Sequence, residues 1–326
     1  MRYDGSAGNA LLSLIAFYGT ANRPNGMKKN GENSMYQDTK AAREILRAQQ
    51  PNGLWGLFHT LGEPKKAPLS TEQALRRLQI LGYTISDEPI GRTVHFMEDC
   101  LKGKRQMPDR REKTHNWDLF TDLMLATWVR RFTLSVPAAN AVAEKWAAVI
   151  GAAFSAGEYR QPDYVRAYRN VFGIEPKGPR FKDFVSFYQV SLLQNTLPPD
   201  LEEMLVDYIL HHPAGIYYIY DRPMGSAYLN VLPEAFASKK ASRYLGAMEL
   251  LIPYRHGRSK LRFAADWLLE NRDENGFWDM GGAVRDQVYF PLSDSWRKEE
   301  TRIQDCSYRV RRWLAEFSAE EPADAI

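Results

Sequence analysis

Apolar residues return every three or four positions along most of this chain, the spacing of helices that bury one face. One such stripe runs Trp117, Phe120, Thr121, Met124, Trp128 and Phe132. Another runs Ala74, Leu75, Leu78 and Leu81, and a third Val310, Trp313, Leu314 and Phe317. The second has clear ends. Ser70-Thr71-Glu72-Gln73 reads as a capping box, in which the Ser hydroxyl takes a free helix amide and Gln73 reaches back. Gly82 is its stop signal. Pro137 and Pro198-Pro199 suit helix first turns. Taken together the pattern predicts helices over 6–18, 36–50, 69–83, 89–102, 116–133, 137–155, 160–172, 181–196, 199–211, 237–252, 258–272 and 299–317. That is twelve helices, or six hairpins. Strict alternation is scarce, apart from a short strand or hairpin expected within 215–231. The chain is therefore expected to be all-α. It carries no low-complexity linker, so 1–326 reads as a single domain, with 318–326 a flexible acidic tail.

Two stretches repeat one pattern at a constant offset of 223 residues. Ile45-Leu46 precedes Asn52-Gly53-Leu54-Trp55 and then Pro68-Leu69-Ser70. Leu268-Leu269 precedes Asn275-Gly276-Phe277-Trp278 and then Pro291-Leu292-Ser293. A helix end, an Asn-Gly-x-Trp turn and a second helix thus recur near both ends of the chain, as in an array of helical hairpins. Trp55 and Trp278 are expected to occupy equivalent places.

This block resembles the Q-x-x-x-G-x-W type repeat of the superfamily of terpenoid cyclases and protein prenyltransferases, squalene–hopene cyclase among them. The first copy, with Gln49 and Gln50 before the turn, is the fuller match. The resemblance implies an (α/α)6 toroid, outer helices ending at the repeats and inner helices surrounding a central cavity. The family's catalytic motifs are missing: there is no D-x-D-D and no D-D-x-x-D. The D-x-C zinc motif is altered too. Cys306 directly follows Asp305, which turns it about 100° on a helix, and no metal or cofactor is expected.

Composition narrows the picture only a little. A net charge of +3 is too small to point to nucleic acid. Two cysteines make no disulfide framework and suggest a cytoplasmic setting. The apolar run Leu11 to Tyr18 is too short to span a membrane. Eight Trp, 17 Tyr and 15 Phe supply core, and also line pockets for apolar or sugar-like molecules.

The candidate chemistry lies in carboxylates beside aromatics. Asp279, Asp286, Asp294 and Asp305 fall in or near the long loop 276–296. After Ser293 the second repeat departs from the first, delaying its last helix. Asp294, Trp296 and Asp305, with Tyr289, are accordingly expected to border the main pocket. Asp118, one turn from Asp122, could serve in acid/base work, as could Asp294 and Asp305. His115 and Trp278 join Trp296 and Tyr289 as candidate ligand contacts. The first expectation is a small molecule, isoprenoid-like or sugar-like, in an aromatic-lined central cavity. The second is a non-catalytic module that binds protein or nucleic acid through basic clusters, Lys102, Lys104, Arg105, Arg110, Arg111 and Lys113 in one and Arg309, Arg311 and Arg312 in the other.

Overall fold

The computed structural model describes residues 36–59, 69–113, 116–177, 181, 183–217, 228–284 and 291–317. Twelve α-helices lie among them, with no strand. They are α1 Lys40–Arg47, α2 Thr71–Ile80, α3 Glu88–Leu101, α4 Trp117–Phe132, α5 Pro137–Ala153, α6 Gln161–Phe172, α7 Phe187–Leu192, α8 Pro199–Leu210, α9 Lys239–Leu251, α10 Gly257–Lys260, α11 Arg262–Glu270 and α12 Glu299–Ala315. The expected helix 6–18 and the tail 318–326 fall outside the described residues.

Eleven expected helices find counterparts, with two differences. The helix expected over 258–272 is broken into α10 and α11 at Leu261, whose amide closes α10 onto Gly257 while its carbonyl accepts the Ala264 amide. Just before α10, between it and α9, the chain turns so tightly that a Cβ on Gly257 would lie 2.1 Å from the Leu251 carbonyl oxygen. The helix expected over 181–196 shrinks to α7, because Tyr217 takes the backbone before it. The Phe187 amide donates to Tyr217 and the Tyr217 amide to Val185, at 2.7 and 2.8 Å, forming a lone parallel bridge at Ser186. That bridge is the sole β pairing among the described residues. Most of the segment expected to hold a hairpin, 218–227, lies outside them.

α4 sits deepest, with both faces covered: it packs on α3, α5 and α7. Its core-facing residues include Phe120, Leu123, Met124, Trp128 and Val129. Five helices are joined in a cycle. Gln79 of α2 donates to the Arg131 carbonyl of α4 at 3.0 Å. Arg130 of α4 donates to the Leu192 carbonyl of α7 at 3.1 Å. Gln194, just past α7, donates to Leu250 of α9 at 2.8 Å. Glu249 of α9 pairs with Arg309 of α12 at 3.3 Å. Arg312 of α12 donates to the Ile80 carbonyl at the end of α2, at 3.0 Å. The beginning and end of the described chain meet again where the rings of Tyr36 and Tyr308 touch edge-on at 4.8 Å.

The two repeats fold alike. The Trp55 indole donates to the Ile45 carbonyl and the Trp278 indole to the Leu268 carbonyl, both at 2.6 Å. Each Trp amide donates to a hydroxyl on a following helix at 2.9 Å, Thr71 of α2 in the first copy and Ser307 of α12 in the second. The tryptophan thus covers the last carbonyls of one helix and ties the chain to another, which explains the motif. Its glycine is equally constrained. Gly53 has φ +88°, and a Cβ there would lie 3.1 Å from the Arg92 carbonyl oxygen of α3. Gly53→Ala combines left-handed strain with that contact and should cost about 1–2 kcal/mol. A denaturant melt checks this; a midpoint unchanged from wild type would contradict it.

Candidate functional site

The capping box predicted for α2 is present. Gln73 donates its amide to Ser70 Oγ at 3.3 Å and accepts the Ser70 amide at 3.1 Å. The free amides of Thr71 and Glu72 donate to the carbonyls of Leu57 and Phe58, at 2.9 and 3.0 Å. Helix starts leave such amides without intrahelical partners, and here the strand of chain leaving Trp55 supplies the acceptors. That stitching carries His59 alongside the first turn of α2.

There His59 meets Glu72. The imidazole Nδ1 lies 2.7 Å from Glu72 Oε2 and 3.2 Å from the Tyr188 hydroxyl, and as an ionised carboxylate only accepts, Nδ1 is the nitrogen that carries a proton. Glu72 Oε1 accepts the Trp128 indole N–H from α4 at 2.8 Å and the Tyr188 hydroxyl from α7 at 2.7 Å. Glu72 is 0% exposed and His59 3%. Phe120 lies edge-on to both His59 and Tyr188, with ring centroids at 5.1 and 5.4 Å. Burying a charged group is costly unless donors converge on it, and three do. With Nδ1 tied to a carboxylate, the imidazole is held in the tautomer whose Nε2 is the basic nitrogen. A carboxylate can orient a histidine in this way for general-base work where a substrate proton lies within reach.

The expected carboxylate cluster is only partly assembled. Asp305 is 1% exposed. Its Oδ2 accepts the Trp296 indole N–H at 2.7 Å, the Ser293 hydroxyl at 2.7 Å, and the amides of Leu292 and Ser293 at 2.9 and 3.0 Å. Burial, then the charge of Asp305 and a hydrogen bond to it, hold the Tyr36 phenol well above its ordinary range. Trp296 and Asp305 thus come together as expected, and the carboxylate ties the loop to α12. Asp294 points elsewhere: it is exposed, and its Oδ1 accepts the Lys40 amide at 2.9 Å at the start of α1. Asp279 is bound by Arg302 at 2.6 Å, which holds its carboxyl below the ordinary range. Asp118 is exposed and pairs with Arg111 at 2.6 Å. Trp278 is buried in the repeat contact described above. His115, Tyr289 and Asp286 lie outside the described residues. Among the described residues no three His, Cys, Asp or Glu side chains gather as a metal site would require.

His59 and Glu72 were missed as a pair in the sequence. Glu72 reads there as an ordinary acidic first-turn residue, and its partners lie 13, 56 and 116 positions away. The available signal was its place three residues before Leu75, flanking the apolar stripe of α2.

The thiols are poorly placed for nucleophilic work. Burial pushes the Cys100 thiol up to about 11, opposed by Arg105 and reinforced by Asp99. Cys306 is fully buried. Below its raised pKa Cys100 stays protonated, so its alkylation by iodoacetamide should rise about tenfold per pH unit from about pH 7 to about pH 10. A rate that levels off near pH 8.5, about the value for a free thiol, would contradict this.

No known protein family matches this chain, and neither curated proteins nor solved structures yield a match.

Proposed function

We propose that this protein is a ring of helices similar in plan to the terpenoid cyclases, and that it takes an apolar, isoprenoid-like molecule against the His59–Glu72 centre. His59 Nε2 is the group that moves a proton there. One observation carries this reading: a histidine–carboxylate pair buried among Phe120, Trp128 and Tyr188, where α2, α4 and α7 converge. The cycle of contacts through α2, α4, α7, α9 and α12 supports the ring, as does the likeness of the two Asn-Gly-x-Trp repeats. The aromatic side chains packed around the pair favour an apolar chain over a sugar, whose hydroxyls would need more polar partners than Glu72 can spare.

The basic-face alternative loses most of its cations to intramolecular partners. Lys102 pairs with Glu98, Lys104 and Arg105 with Asp99, and Arg111 with Asp118. Arg309 and Arg312 serve the cycle of helices, and Arg311 donates to the Gly276 carbonyl at 3.1 Å.

Thermal-shift measurements with farnesol and with maltotriose test the reading. Farnesol should raise the melting temperature of the wild type, maltotriose should not, and His59→Ala should lose the farnesol shift. The reading fails if farnesol gives no shift, or if the shift survives intact in both His59→Ala and Glu72→Gln.

A further inference from the structure

The basic segment 102–113 runs from the end of α3 to the approach of α4, and a half-buried acid within it, Asp109, reaches the chain that carries His59. Asp109 Oδ1 accepts the Phe58 amide, and Oδ2 accepts the His59 amide at 2.8 Å. Two adjacent amides are thereby held by one carboxylate from 50 residues away. Phe58 is held on its other side as well, since its carbonyl accepts the Glu72 amide at 3.0 Å. The peptide that carries His59 is therefore clamped between Asp109 and the helix that carries Glu72. The segment itself is fixed at both ends. The amides of Lys104 and Arg105 donate to the Asp99 carbonyl at 2.8 and 3.3 Å, and the Arg105 guanidinium pairs with the Asp99 carboxylate at 3.1 Å. Arg111 pairs with Asp118 at the first turn of α4. Between these ends Met107 packs against the core.

We infer that Asp109 is a positioning residue for the His59–Glu72 pair, and that segment 102–113 is the strap that delivers it. The inference rests on the reading of His59–Glu72 as the reactive centre. Its physical basis is the cost of the alternative. Without the carboxylate, two buried amides lose their acceptor, and a buried donor left unmatched is costly enough to move backbone. Any such movement at Phe58–His59 displaces the imidazole from the 2.7 Å contact that fixes its tautomer. Lys102, Lys104, Arg105 and Arg111 are then scaffolding: they bind Glu98, Asp99 and Asp118 so that the loop holds Asp109 in place.

Nitrogen-15 NMR of histidine-labelled full-length protein tests this, with Asp109→Asn and Asp109→Glu as variants. Asn offers a single acceptor and turns an N–H₂ toward the second amide. Glu keeps both acceptors but displaces them. In wild type the His59 Nδ1 proton should be visible and protected from solvent. In Asp109→Asn it should exchange at least about tenfold faster or broaden beyond detection, and in Asp109→Glu its resonance should shift. Asp305→Asn breaks a similar carboxylate–amide anchor elsewhere and should leave the His59 signal in place, which separates positioning from general destabilisation. A folded Asp109→Asn or Asp109→Glu protein with an unchanged His59 resonance overturns the inference alone. A wild-type protein without a protected Nδ1 proton overturns the reading of the centre and the inference with it. Should Asp109→Asn fail to fold, Asp109→Glu decides.

Discussion

Replacing Trp55 or Trp278 with alanine is expected to cost about 3–5 kcal/mol apiece and to lower the melting temperature by roughly 4–7 °C. Both indoles are almost wholly buried, and each covers the end of one helix while its amide is tied to another. Alanine would remove the largest side chain at each junction and take from the Ile45 or Leu268 carbonyl its indole donor, leaving it only a backbone amide. Phenylalanine should keep most of the packing and forfeit mainly the hydrogen bond, a loss of about 1–3 kcal/mol. Denaturant melts of the four variants check this. The two sites should respond alike, since their contacts are alike. A variant that melts like wild type would mean that its tryptophan does not hold the repeat together.

Glu72→Ala should be as damaging, by about 3–5 kcal/mol. Removing the carboxylate leaves the His59 imidazole, the Trp128 indole and the Tyr188 hydroxyl without their common acceptor inside the core. Glu72→Gln is milder and more informative. Its oxygen can still serve Trp128 and Tyr188, but its amide nitrogen donates toward His59 Nδ1. The imidazole must then accept there and carry its proton on Nε2, so the basic nitrogen is lost from the side where Glu72 placed it. Urea melts give the stabilities, and the histidine nitrogen shifts report the tautomer. A Glu72→Ala protein as stable as wild type would show that the buried network contributes nothing.

The helices were legible because each repeats a local pattern, and so was the equivalence of the two tryptophans, because the offset carries it. The capping box at Ser70 and Gln73 could be read from four residues. The meeting of Trp296 with Asp305 followed from noticing where the second repeat breaks its own pattern. Asp294, one residue from Ser293, looked no different from Asp305 in sequence, yet it turns outward to the start of α1. Nothing nearby encodes that choice; it depends on α1 arriving from the other end of the chain. The His59–Glu72 pair was hidden for the same reason. His59 sits past a turn, Glu72 in a helix first turn, and the aromatic residues that enclose them come from α4 and α7. The shortening of α7 was also set from afar, by Tyr217. Periodicity reports what a segment buries, and long-range pairing decides what it is buried against.

Photo-crosslinking with a farnesyl chain bearing a diazirine, followed by peptide mapping, tests the central claim most directly. The account predicts labelling of peptides that carry Phe120, Trp128 or Tyr188, suppressed by excess farnesol and lost in His59→Ala. Labelling confined to other parts of the chain, or labelling that farnesol does not suppress, would contradict it.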